Sequence, residues 1–176
     1  MIAKPGDSSK FGVYKLSQEA YKQSNYDYDN WPYEWGAPAT DEGDPLLHAD
    51  QSIWTVYNTM DSLTFLPRVR GTEEYRTFPL EVHQLAFSYN LDTTDFDNVF
   101  NDAVFIEYSF VNRGYKPIDS CTIGLWTDID FYHAWNLPAV DTTLDLGYCW
   151  EDTDAEKTLP AVGYTLLYGP SVPSQG

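Results

Sequence analysis

The stretch at residues 103–112, AVFIEYSFVN, constrains the fold more than any other. Val104, Ile106, Tyr108 and Phe110 fall in one phase, and Phe105, Glu107, Ser109 and Val111 in the other. A period of two, filled with β-branched and aromatic residues, is the pattern of a strand and cannot make one face of a helix. The pattern recurs along the chain. FGVYKL at 11–16 reads as a short first strand. SIWTVYNTM at 52–60 carries large groups in both phases, which predicts a central strand. LEVHQLAFSYN at 80–90 changes phase near His83 and Gln84, which predicts a bulge there. SCTIGLWTDID at 120–130 is expected to return antiparallel to 103–112 after the turn NRGYKP at 112–117, with Gly114 supplying a positive φ. TTLDLGYCW at 142–150 and AVGYTLLYG at 161–169 complete the set.

Helical signals are confined to one or two turns after Ser17, in LSQEAYKQ at 16–23. Strands that follow one another through turns, with no helical crossover, predict an all-β fold: an antiparallel β-sandwich with long aromatic, Pro- and Gly-rich loops. The chain of 176 residues suits one domain. We divide it into a lead at 1–24 holding the first short strand, a single sandwich domain at 25–170 that includes an aromatic loop at 25–50, and a linker or truncation point at 171–176.

The aromatic loop opens with NYDYDNWPYEWGAP at 25–38, in which five rings, two prolines and three acids share fourteen positions. Trp31, Tyr33 and Trp35 alternate. On an extended chain they would line one face, as a carbohydrate-binding platform does. We expect instead that they bury against the sheet, with Pro32 and Pro38 stiffening the segment.

The formal charge of −17 comes from 27 acidic and 10 basic residues. Such a surface disfavours nucleic acid and anionic membranes, which gain nothing by releasing counterions to a negative partner. No run of ~18 apolar residues predicts a membrane-spanning helix. The basic stretch LPRVRGTEEYR, with Arg68, Arg70 and Arg76, is interrupted by Glu73 and Glu74 and reads as a charged hairpin loop.

Four aspartates, Asp128, Asp130, Asp141 and Asp145, are candidate metal ligands. Asp128 and Asp130 are spaced to project from one side of a strand, and a loop at 131–141 folding back would bring Asp141 or Asp145 to them. Calcium takes six to eight hard oxygen ligands, which carboxylates and free carbonyls supply. A solvated acidic rim is the other reading. NLDTTDFDNVFND at 90–102, with Asp92, Asp95, Asp97 and Asp102, is a second calcium candidate, for which turn chemistry is the preferred reading. No catalytic residue is assigned. The three histidines, His48, His83 and His133, fall in no metalloprotease pattern, and no serine sits in a nucleophile elbow. Glu107 and Asp128 could serve as a glycosidase carboxylate pair, but so could many pairs among 27 acids. Cys121 and Cys149 lack zinc-site spacing. They are either two thiols or a disulfide that closes a loop worth roughly 3–4 kcal/mol.

Several stretches taken in order, YDNWPYEWGAPATDEGDPLLHADQSIWTVYN, PLEVHQLAFSYN, NVFNDAVFIEYSFVNRGYKPIDSCTIGLWTDIDF, DTTLDLGYCW and PAVGYTLLYGP, resemble an uncharacterised region. It lies near the N-terminal part of large secreted bacterial proteins, many of which carry a C-terminal type IX secretion sorting domain. The resemblance runs from about Tyr26 to Pro170. It departs from the family at Ala49-Asp50-Gln51, where the family has Gly-Asp-Gln, and at Asp130-Phe131-Tyr132, where it has Asp-Leu-Gly. It implies an exported or cell-surface protein of which Gly176 is not the natural end, and it brings no activity.

The expected role is therefore a non-enzymatic structural or interaction module of a larger secreted or surface protein, with calcium as a candidate stabiliser. Its partners would be a glycan, another surface protein or the rest of a longer chain. The alternatives are a carbohydrate-binding module using Trp31, Tyr33 and Trp35, and a fragment of a glycoside hydrolase or lyase.

Overall fold

A computed structural model describes residues 12–59, 79–90, 99–131, 136–151 and 160–171. Among them the chain is all-β, with seven strands in two antiparallel sheets and very little helix. It forms two compact units, 1–120 and 121–176, and each is described by itself.

The first unit holds β1 (Tyr14–Ser17), β2 (Gln51–Asn58), β3 (Leu80–Ser88) and β4 (Phe105–Asn112), hydrogen-bonded in that order. Because paired residues of an antiparallel sheet share a face, the register sorts the side chains. Trp54 lies opposite Tyr14 and Leu85, and Ser52 lies opposite Leu16 and Phe87. Tyr14, Leu16, Ser52, Trp54, Val56 and Leu85 are all buried. The other face carries Ile53, Tyr57, Ile106, Tyr108 and Phe110, all exposed. β2 is a central strand as its sequence predicts, and the described residues of this unit cover one of its faces. The bulge expected near His83 does not form. The pairing of β3 with β2 and β4 runs residue for residue from Glu81 to Phe87. The phase change instead puts Val82 on the outer face and Leu85 on the inner one, and both are buried.

The covered face takes its second layer from the loop between β1 and β2. A 3-10 turn, Gln18–Ala20, follows Ser17. A four-residue helix, α1 (Tyr26–Asp29), is capped by Asn25, whose side-chain oxygen accepts from the Tyr28 N–H at 3.1 Å. That cap satisfies one of the donors a helix start leaves without an intrahelical partner. A second 3-10 turn, Tyr33–Trp35, ends at Gly36 in the left-handed region at φ 90°. Trp31 and Ala37 join the core from this loop, with Tyr28, Trp35 and Leu47 packed around them.

Beyond β4, Gly114 does not adopt the positive φ its turn suggested. Its requirement is for space: a Cβ there would stand 2.6 Å from Pro79 Cγ.

The second unit holds β5 (Asn136–Asp141), β6 (Leu146–Glu151) and β7 (Ala161–Thr165), each antiparallel to the next. β5 lies where the sequence suggested part of a long loop. Pro138 is compatible with it because β5 is an edge strand, where a missing N–H costs no interior ladder bond. The strand expected at 120–130 does not form. Residues 121–131 have no regular structure. Cys149 is buried on β6, Cys121 is exposed, and both are free thiols.

Candidate functional site

The aromatic segment is where the sequence concentrated its unusual chemistry, and its geometry shows what that chemistry does. Trp31 is 3% exposed and Trp54 2%. Their ring centroids are 6.4 Å apart, and Tyr14 stands edge-on to Trp31 at 6.2 Å and tilted to Trp54 at 6.4 Å. The three rings form one closed contact between loop and sheet. Burying an indole also requires a partner for its N–H, and Trp31 Nε1 donates to the Pro38 carbonyl at 2.9 Å. Pro38 closes this loop with its carbonyl as well as stiffening it with its ring.

The alternation of Trp31, Tyr33 and Trp35 does not become a platform. The 3-10 turn over Tyr33–Trp35 breaks the extended geometry that would align them. Trp31 is in the core, Trp35 packs against it, and Tyr33 is exposed. Trp31 therefore has no ring face to offer a sugar.

Beside these rings the sheet carries a buried polar group. Glu81 on β3 is 5% exposed. Its Oε2 accepts from Arg113 Nε at 3.0 Å, and its Oε1 accepts from Arg113 Nη2 at 2.5 Å. His83 Nε2 lies 2.8 Å from the same Oε1. Burial alone would raise the Glu81 carboxyl. The hydrogen bonds from Arg113 and His83 outweigh it and hold the group below its ordinary value. His83 stands edge-on to Trp54 at 5.7 Å. A Cβ on Gly36 would fall 2.6 Å from His83 Cε1, so the loop backbone rests directly on the imidazole. Arg113, Glu81, His83 and Gly36 thus form a continuous chain from the end of β4 to the aromatic loop. Chemically it is a satisfied ion pair under a packed loop.

The loop's outer side has its own polar tie. Asp44 accepts from Lys22 Nζ at 2.8 Å and from the Tyr28 hydroxyl at 2.8 Å. These bonds, Lys22 first, lower the Asp44 carboxyl. Tyr28 is pushed up to about 12, first by burial and then by its bond to Asp44. Tyr21 donates to the Pro45 carbonyl at 2.8 Å.

The four candidate metal ligands are not brought together as the spacing suggested. Asp128 and Asp130 lie in the irregular run, so strand alternation does not align them. Asp141 ends β5, and its Oδ1 accepts from the Thr143 N–H at 2.8 Å and the Thr143 hydroxyl at 2.6 Å. Asp145 takes φ 49° at the far end of the same turn. Among the described residues no group of three or more His, Cys, Asp or Glu side chains is placed to hold a metal ion. Glu107 lies on β4 and Asp128 lies on no strand. Arg68, Arg70, Arg76, Asp92, Asp95, Asp97 and His133 lie outside the described residues.

Comparison of the chain with protein-family models, curated proteins and solved structures finds no match to any of them.

Proposed function

We propose that this chain is a non-enzymatic structural and interaction module of a larger secreted or surface protein. The observation that carries the reading is the destination of the aromatic segment. The residues best suited to hold a ligand, Trp31 and Trp35, pack on the sheet's own core. The polar groups beside them, Glu81, His83 and Arg113, are hydrogen-bonded to one another. The proposed location rests on the family resemblance of residues 26–170, and the proposed partners are the rest of a longer chain and other surface proteins. A charge of −17 suits a module that must remain dispersed outside the cell.

The test compares the parent protein with Trp31→Ala and Tyr33→Ala by thermal melting and on a glycan array. The module reading expects a lower melting temperature for Trp31→Ala, little change for Tyr33→Ala, and no glycan signal that depends on either residue. Unchanged melting together with a glycan signal that Trp31→Ala abolishes would replace it with the carbohydrate-binding reading. Fractionation of the source cells, probed with antibody to this chain, tests the location independently. Recovery in the cytosol alone would contradict it.

A further inference from the structure

We draw no further inference here: the strongest candidate, the outward face of the four-stranded sheet around Ile53, Tyr57, Ile106, Tyr108 and Phe110, is an unpartnered apolar surface and nothing in the structure shows what covers it.

Discussion

At Trp31 the loop and the sheet share one indole, on which burial, two ring contacts and a hydrogen bond to Pro38 converge. Truncating a core tryptophan to alanine removes the transfer term and leaves a cavity, together about 3–5 kcal/mol. Trp31→Ala should lose that much in denaturant unfolding. Tyr33→Ala, at an exposed position, should stay within about 1 kcal/mol of the parent. Equal losses at the two positions would contradict the packing described. Gly36 is the second critical residue. Its φ of 90° strains any L side chain, and a methyl group would press on His83 Cε1. Gly36→Ala should cost at least about 1 kcal/mol through the backbone alone. Gly43 shares the positive φ at 89° but has open space around its Cβ position. Gly43→Ala should therefore cost less than Gly36→Ala, and the reverse order in urea melts would show that His83 does not abut the loop.

At the scale of elements, the loop rests through Gly36 on His83, which is paired with Glu81, and it is tied within itself through Asp44. Both carboxyls are lowered in the folded state. A lowered carboxyl contributes stability that is present above its unfolded pKa and is lost as pH falls through the folded one. The protein should therefore lose stability below the ordinary carboxylate range. Glu81→Gln should flatten the acid side of a plot of melting temperature against pH, and an unchanged slope would remove Glu81 from the account. Tyr28 acts at the other end. With its folded pKa at about 12 against an ordinary 10.0, its contribution is complete below pH 10 and fades between 10 and 12. Tyr28→Phe should remove that alkaline component.

These attachments mark the limit of what the sequence made legible. β2, β3 and β4 were readable because alternating side chains report which residues share a face. β5 was not, because Pro138 and a short apolar run look like a loop unless the strand's edge position is known. The run at 120–130 alternates as well as β4 does, yet alternation does not supply the partner whose N–H and C=O groups a strand needs. Burial of Trp31 was one of two readings that the rings and prolines left open. The Asn25 cap has a local signal, an asparagine ahead of a short acidic turn. The pairing of Glu81 with Arg113 was not visible, since the two are 32 residues apart and meet only through the β3–β4 register. Its one trace is a glutamate set between Leu80 and Val82, where an unpaired charge would be costly.

For the whole molecule, a charge of −17 means that added salt or divalent ions change stability through general screening. A specific calcium site is a different matter. Asp141 is engaged by Thr143, and no set of three or more ligands converges among the described residues. Asp128→Asn with Asp130→Asn should therefore leave any calcium response of the melting temperature unchanged. A rise that Asp128→Asn with Asp130→Asn abolishes would restore the site that the spacing suggested. Thiol titration of denatured, non-reduced protein should count two free thiols for Cys121 and Cys149. A count of zero would place a disulfide where the structure has none. The aromatic segment is the inner lining of the four-stranded sheet, and Trp31 reports on it most directly. Its indole N–H is buried and bonded to the Pro38 carbonyl. Hydrogen exchange at that nitrogen, followed by NMR in the parent protein, should be slowed by orders of magnitude relative to a free indole and should approach the slowest amides of β2 and β3. Exchange at the rate of a free indole, with those amides still protected, would mean that the segment stands open in solution.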